Sequence, residues 1–122
     1  MTIGEISSKT NLPESTLRYY EKKKLLRVSR DKNGRRDYDE SDVEWIKFIR
    51  RLKETGMLLK DIQRYSSLRY QGNGTMPERL KMLRLHRQYV LGQRQKWDEY
   101  LRNLDDKIAY YKENIEVQNL TK

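Results

Sequence analysis

The sequence contains no cysteine, a single histidine and no long apolar run. Without cysteine the chain cannot form disulfides, bind a metal through thiolates or sense oxidants through a thiol. The histidine, His86, has no cluster of carboxylates beside it, so we expect no metal site and no cofactor. Neither a glycine-rich phosphate loop nor a nucleophile–base arrangement is present, so we expect a protein that is not an enzyme.

Targeting and membrane-spanning signals are also missing. No segment approaches the ~20 apolar residues that are needed to cross a bilayer. The N-terminus lacks the basic and then apolar pattern of a signal peptide. We therefore expect a cytoplasmic protein.

The chain is instead rich in charge. Its 122 residues include 27 Lys and Arg against 18 Asp and Glu, which gives a formal net charge of +9. This excess favours a polyanionic partner, either nucleic acid or an anionic membrane surface. Hydrophobic residues make up only 35% of the chain. That low fraction indicates that part of the chain is an extended helix that completes its burial against a partner.

Two short helices are predicted at the N-terminus. Thr2 and Glu5 have the spacing of a capping box, which starts the first helix. Pro13 suits the first turn of a second helix, which extends to about Lys23. Two short helices connected by a tight turn have the outline of a helix-turn-helix.

A small basic hairpin is predicted next. Asn33-Gly34 is a strong turn signal between strands expected over 25–29 and 35–38. Such a hairpin can lie along the DNA backbone while the second helix occupies the major groove, where guanidinium and hydroxyl groups hydrogen-bond bases and phosphates. The expected contact residues are Ser15, Thr16, Arg18 and Tyr19 on the helix, with Arg30, Lys32, Arg35 and Arg36 on the hairpin.

Two amphipathic helices are predicted after the hairpin. Asp39 or Ser41 can cap the first of them, which extends to about Glu54, and Gly56 suits the left-handed position that ends a helix. Their apolar residues recur at helical spacing. These residues are Val43, Ile46, Ile49, Leu52, Leu59, Ile62, Tyr65 and Leu68. Residues 1–70 are thus predicted to form a winged helix-turn-helix DNA-binding domain.

The longest helix is predicted over 77–117, after a linker at 71–76 and before a frayed tail at 118–122. Eleven of its positions step by alternating threes and fours, a heptad seam typical of coiled coils. They are Leu80, Leu83, Arg87, Val90, Arg94, Trp97, Leu101, Leu104, Ile108, Tyr111 and Ile115. We expect dimerisation through this seam, mainly through Leu83, Val90, Trp97, Leu101, Leu104 and Ile108. The expected fold class is all-α with a small β-hairpin wing.

Two arginines, Arg87 and Arg94, interrupt the apolar seam. A buried and unpaired arginine is strongly destabilising. These side chains therefore either pair with carboxylates of a partner helix and fix its register, or the partner helix covers only part of the seam and leaves them exposed.

Four separated motifs resemble the MerR family of bacterial transcription regulators. They are Thr16-Leu17-Arg18-Tyr19-Tyr20-Glu21, Leu25-Leu26, Asn33-Gly34-Arg35-Arg36-Asp37-Tyr38 and Gly56-Met57-Leu58-Leu59-Lys60-Asp61-Ile62. The resemblance covers residues 1 to about 70, and the long helix after Thr75-Met76-Pro77-Glu78-Arg79-Leu80 resembles the family as well. The chain looks most like the small branch that includes aldehyde- and thiol-stress regulators, without their cysteine.

The resemblance implies a homodimer held by an antiparallel coiled coil. It implies binding to double-stranded promoter DNA at a pseudo-palindromic element with an over-long spacer. Family members bend and untwist this DNA, so RNA polymerase is affected indirectly, through the promoter. By position, Arg18 and Tyr19 would contact the half-site, and Arg36 and Tyr38 would contact the backbone near the wing.

The sequence also departs from the family pattern. Arg27 and Val28 follow the Leu-Leu pair where many relatives have a proline, and Leu58 stands where Ser or Thr often caps the fourth helix. Arg50-Arg51 occupies the region where stress-sensing relatives often have a cysteine. Sensing through a thiol is therefore not inherited, and the effector is unknown.

Several alternatives remain open from the sequence. A sequence-tolerant, nucleoid-type DNA-binding protein would have the same basic surface, and a peripheral coiled coil could place its basic face on anionic lipid. We favour DNA and expect no membrane partner. An effector pocket would have to lie between the DNA-binding unit and the coiled coil and be lined by aromatic residues, but we favour ordinary inter-helix packing as the explanation of these residues. The candidates are Trp45, Tyr65, Tyr70, Tyr89 and Trp97.

Overall fold

The computed structural model describes residues 1–120, and the chain forms two units, Met1–Arg84 and Leu85–Lys122. Helices dominate, and one two-stranded antiparallel hairpin interrupts them. In chain order the elements are α1 (Ile3–Thr10), α2 (Glu14–Lys22), β1 (Ser29–Arg30), β2 (Arg36–Asp37), α3 (Glu40–Glu54), α4 (Leu59–Gln71), a 3₁₀ turn (Asn73–Thr75) and α5 (Met76–Leu120).

The predicted start of α1 is confirmed. The Glu5 N–H donates to the Thr2 hydroxyl over 3.1 Å, and the Thr2 N–H donates to the Glu5 carboxylate over 3.3 Å. These hydrogen bonds from Thr2 lower the pKa of Glu5. Asn11, at a φ of 55°, ends α1 in the left-handed conformation. Pro13 lies at the N-cap of α2, just before the first turn in which it was expected.

The hairpin forms with shorter strands than predicted. Ser29 pairs with Asp37 and Arg30 pairs with Arg36. The Asp31 carboxylate accepts the Arg35 N–H over 3.0 Å and also closes the turn onto Asn33, while Gly34 adopts a φ of 77°. The turn signal was therefore sufficient to locate the hairpin.

Leu25 and Leu26 are not part of the first strand, as had been expected. Both are fully buried, whereas a strand alternates its faces. Lys24, with a φ of 62°, turns the chain out of α2, so both leucines enter the core of the first unit. Pairing begins only at Ser29.

α3 and α4 supply much of the core of the first unit. Asp39 caps α3 in a reciprocal capping box with Asp42, and Gly56 adopts a φ of 91° after the helix. Leu58 is the N-cap of α4 and forms no side-chain capping hydrogen bond, because leucine has no side-chain acceptor. The buried apolar side chains are Ile6, Leu17, Tyr20, Leu25, Leu26, Tyr38, Val43, Trp45, Ile46, Ile49, Leu52, Ile62, Tyr65 and Leu68.

One backbone carbonyl joins these elements. The Trp45 indole N–H of α3 donates to the Leu25 carbonyl over 2.9 Å, and the Ser66 hydroxyl of α4 donates to the same oxygen over 2.7 Å. The Gln63 amide of α4 donates to the Lys23 carbonyl over 2.9 Å. The segment that leaves α2 is thus fixed by side chains from two later helices.

α5 differs from the predicted helix at both ends. It begins at Met76, directly after the 3₁₀ turn, and continues to Leu120, so residues 118–120 are helical where a frayed tail was expected. The rest of that expected tail, residues 121–122, lies outside the described residues. Hydrogen bonding within the helix can continue because no proline occurs after Pro77. In the second unit the helix has many exposed apolar side chains.

The left-handed backbone at Lys24 gives a stability prediction. Because a residue with a Cβ is disfavoured there, Lys24→Gly should raise the free energy of unfolding by about 0.5–1 kcal/mol, measured by urea denaturation. Lys22→Gly, which removes the same side chain from a helical position, should lower it by about 0.5–1 kcal/mol. Equal destabilisation by both variants would show that the Lys24 conformation is not strained.

Candidate nucleic-acid interface

α2 has one buried and one exposed face. Leu17 is 0% exposed and Tyr20 is 3% exposed, so both belong to the core. Arg18 and Tyr19 are exposed. Ser15 is exposed at the start of the helix. Only one tyrosine of the Tyr19-Tyr20 pair therefore lies in the core. Of the contact residues predicted on α2, Ser15, Arg18 and Tyr19 face outward, whereas Thr16 is half-buried.

The ammonium groups of two lysines lie close to the ring of Tyr19. Lys53 of α3 places its Nζ 4.8 Å from the Tyr19 ring centroid and 5.5 Å from that of Tyr20, and Lys23 places its Nζ 5.9 Å from the Tyr19 ring. These cation–π contacts orient the tyrosine and add positive charge beside the exposed face of α2. No local sequence pattern marks Lys53, because this contact joins residues that are distant in the chain.

The wing contacts α2 through one carboxylate. Glu21, in the last turn of α2, accepts from Nε of Arg36 over 2.9 Å and from Nη2 of Arg30 over 3.2 Å. Each strand of the hairpin contributes one of these arginines. Glu21 is itself partly buried, so the pairs are less screened than pairs at a fully exposed site. Glu21 therefore fixes the wing relative to α2, a role that its sequence position did not reveal.

The remaining wing cations are differently placed. Lys32 and Arg35 are exposed near the turn, and Arg18 is exposed on α2. Among the ion pairs formed within residues 1–120, none involves these three side chains. Their charge is available to a polyanion, whereas that of Arg30 and Arg36 is shared with Glu21.

The expectation that Tyr38 contacts DNA requires correction. Its side chain is only 2% exposed and belongs to the core. The hydroxyl is buried and has no hydrogen-bond partner within the described chain. Burial raises the pKa of Tyr38, which keeps the phenol protonated. The Tyr38 side chain is therefore part of the core and presents no group at the surface.

Three of the aromatic residues considered for an effector pocket, Trp45, Tyr65 and Tyr70, belong to the core of the first unit or pack against it. Trp45 and Tyr65 stack with their ring centroids 5.8 Å apart in the core. Tyr70 is partly buried against this core and also contacts Arg27, whose guanidinium carbon lies 4.8 Å from the ring centroid. Tyr89 and Trp97 belong to the second unit. Ordinary packing accounts for the three aromatic residues of the first unit.

The second unit contributes His86, which stacks on Tyr89 with ring centroids 6.1 Å apart. No group of three potential metal-ligating side chains occurs among residues 1–120. None of the helices in that part of the chain is long and apolar enough to cross a membrane.

An exposed helix of a helix-turn-helix pair beside a basic two-stranded wing defines the class of winged helix-turn-helix proteins. The family described as "MerR HTH family regulatory protein" matches residues 1–68, and the family described as "MerR, DNA binding" matches residues 43–107. The chain belongs to the MerR family of regulators. The fold class and the family resemblance expected from the sequence are thereby confirmed.

Two curated relatives illustrate the similarity. An uncharacterized HTH-type transcriptional regulator of Haemophilus influenzae is 35% identical over 111 residues, which cover 90% of this chain and 82% of that protein. The HTH-type transcriptional regulator AdhR of Bacillus subtilis is 36% identical over 92 residues, which cover 75% of this chain and 66% of the relative.

Two solved structures are also similar. One is HiNmlR, a MerR family regulator lacking the sensor domain, bound to promoter DNA, with a TM-score of 0.81, 34% identity and coverage of 92% of this chain and 90% of that one. The other is a putative MerR family transcriptional regulator from Listeria monocytogenes, with a TM-score of 0.86, 29% identity and coverage of 91% and 85%.

The shared carboxylate of Glu21 leads to a prediction about specificity. Glu21→Gln weakens both arginine contacts and removes one negative charge, so the wing is less ordered while non-specific attraction to phosphates increases. The ratio of affinities for the protein's own promoter and for an unrelated duplex should fall roughly tenfold, measured by fluorescence anisotropy at fixed salt.

Glu44→Gln, at an exposed position of α3, is the matched control because it makes the same change of charge. It should leave the ratio nearly unchanged. An equal loss of specificity in both variants would mean that net charge, and not the placement of the wing, is responsible.

Proposed function

We propose that the protein is a sequence-specific, DNA-binding transcriptional regulator. It acts as a homodimer on a pseudo-palindromic promoter element and distorts the DNA, so RNA polymerase is affected through the promoter. One observation carries the proposal: the exposed face of α2 and the basic wing belong to a chain that matches, over 92% of its length, a regulator bound to promoter DNA.

The proposed docking places α2 in the major groove. Arg18 and Tyr19 would contact base edges or phosphates of one half-site, and the hydroxyls of Ser15 and Thr16 would bind phosphates near the start of the helix. The wing would follow the backbone, with Arg35 contacting phosphate directly. Arg36 would contribute through the guanidinium N–H groups that Glu21 does not occupy.

The exposed seam of α5 supports the homodimer. In the second unit Trp97 is 68% exposed and Leu104 is 60% exposed, and Leu101 and Ile108 are similarly uncovered. Large apolar side chains recurring on one face of a helix gain free energy when a second helix covers them. Leu83 differs, since it packs against the core of the first unit. It is therefore a weaker candidate for the interface than the later residues.

The charge along α5 supports the antiparallel orientation. Residues 85–97 carry three basic and no acidic side chains, whereas residues 98–120 carry six acidic and three basic side chains. An antiparallel pair places unlike charges together, whereas a parallel pair would place Arg87 and Arg94 beside their own copies.

A regulator of promoters acts where the DNA is, so we place the protein in the cytoplasm.

A second candidate function is sequence-tolerant packaging of DNA. The net charge of +9 favours it, because phosphate contacts alone do not discriminate between sequences. The two functions differ in a competition assay. A regulator should be displaced far less readily by unrelated duplex than by the DNA upstream of its own gene or of the neighbouring genes.

Arg18→Ala tests the proposed reading of DNA. Loss of a bidentate contact should reduce affinity for the upstream element by roughly 10- to 100-fold and affect unrelated duplex much less, as measured by anisotropy. Arg102→Ala removes an exposed arginine from the second unit and should have little effect. If unrelated duplex competes for the unmodified protein as well as the upstream element does, the packaging function is correct.

Leu101→Glu combined with Leu104→Glu tests the seam. Two carboxylates in the apolar interface should produce monomers in sedimentation and abolish binding to the two half-sites, because each half-site alone binds weakly. Asn103→Glu, on the same helix but off the seam, should remain dimeric. A persistent dimer in the double variant would contradict the assigned seam.

A further inference from the structure

The antiparallel homodimer proposed above leaves open how far one helix is shifted along the other. We propose that two ion pairs, each formed twice by symmetry, fix this register. They join Arg87 to Asp105 of the partner subunit and Arg94 to Asp98 of the partner subunit. The inference rests on the proposed function, because it requires the dimer.

The two arginines occupy seam positions one heptad apart. Their neighbours along the seam are Leu83, Val90 and Trp97, and both arginines are exposed in the single chain. Neither forms an ion pair within residues 1–120. Covering the seam would remove water from both guanidinium groups, so each needs a carboxylate in the completed interface.

Two aspartates, Asp98 and Asp105, show the matching pattern. Each directly follows a seam residue, Trp97 or Leu104, so each flanks the apolar interface. They are also one heptad apart and exposed, and in the part of the chain that the structure describes neither belongs to an ion pair. Flanking positions of this kind form interhelical salt bridges in coiled coils.

Antiparallel geometry brings both pairs together in one register. Residue 96 lies midway between Arg87 and Asp105, and it also lies midway between Arg94 and Asp98. A two-fold axis close to residue 96 therefore satisfies both arginines at once. In that register Arg94 faces Trp97 of the partner subunit across the seam, where a guanidinium group can also stack on the indole.

Neighbouring registers do not satisfy both arginines. A shift of one heptad in one direction places Arg87 beside Lys112 of the partner subunit, which is repulsive. A shift in the other direction leaves Arg94 beside Leu91 of the partner subunit, so one buried guanidinium has no carboxylate. Since uncompensated charge in an interface is strongly unfavourable, the charges select the register between these two.

The pair formed by Arg87 and Asp105 provides the cleaner test. Arg94 and Asp98 are four residues apart and could pair within one helix. Arg87 and Asp105 are separated by eighteen positions, or about 27 Å along a helix that rises 1.5 Å per residue, so they can meet only between subunits. A charge effect that links them therefore reports on the dimer alone.

The experiment uses two full-length variants, Arg87→Asp and Asp105→Arg. Each homodimer would oppose like charges, so its dissociation constant in sedimentation equilibrium should rise roughly 10- to 100-fold. In a mixture of the two, both contacts are attractive again, and native mass spectrometry should show the heterodimer as the dominant species. The double variant Arg87→Asp, Asp105→Arg should regain a stable homodimer.

Arg102→Asp and Asp106→Arg are the matched controls, because they make the same changes of charge at exposed positions away from the seam. Their mixture should show no preference for the heterodimer. Helix content by circular dichroism checks that each variant is folded. If the unmodified protein is a dimer but the mixture of Arg87→Asp and Asp105→Arg gives no excess heterodimer, the register is wrong. If the unmodified protein is a monomer, the proposed homodimer itself fails.

Discussion

The placement of the DNA-reading surface depends on hydrogen bonds to the backbone that follows α2. The Leu25 carbonyl accepts from both Trp45 and Ser66, and the Lys23 carbonyl accepts from Gln63. Buried backbone acceptors must be satisfied, and here the donors are side chains of α3 and α4. The end of α2 is therefore fixed by helices that do not themselves form the proposed reading surface. α3 contributes again through Lys53, which contacts the ring of Tyr19.

A second constraint links α2 to the wing. One partly buried carboxylate, that of Glu21, accepts from an arginine of each strand, so the helix and the hairpin share a charge network. The network reduces the positive charge available to phosphates but limits the motion of a hairpin whose strands have only two residues each. A short wing of this kind is marginally stable on its own. The two ion pairs therefore orient the wing relative to α2 but reduce the electrostatic attraction of the wing to phosphates.

Local signals predicted most of the fold, and long-range contacts determined the rest. The capping box at Thr2, the hairpin turn at Gly34 and the left-handed glycine, Gly56, after α3 each depend on a few neighbouring residues, which is why the sequence was sufficient to locate them. The burial of Tyr38 depends on packing between elements distant in sequence, as do the contacts of Glu21 with Arg30 and Arg36. No periodicity distinguishes such a tyrosine from an exposed one.

The seam of α5 illustrates why polar residues persist in an interface that needs apolar area. Replacing buried ion pairs by apolar residues of similar size is often stabilising, so Arg87 and Arg94 are not explained by affinity alone. A purely apolar heptad seam, however, tolerates several registers, and a slide of one heptad displaces one helix by about 10 Å along the other. Dimeric helix-turn-helix proteins need their two reading helices at a fixed separation, which is about 34 Å or a multiple on regular duplex DNA. A regulator built on a single long helix can meet that requirement only if incorrect registers are penalised. Charges that fit in one register and clash or remain unpaired in its neighbours provide that penalty.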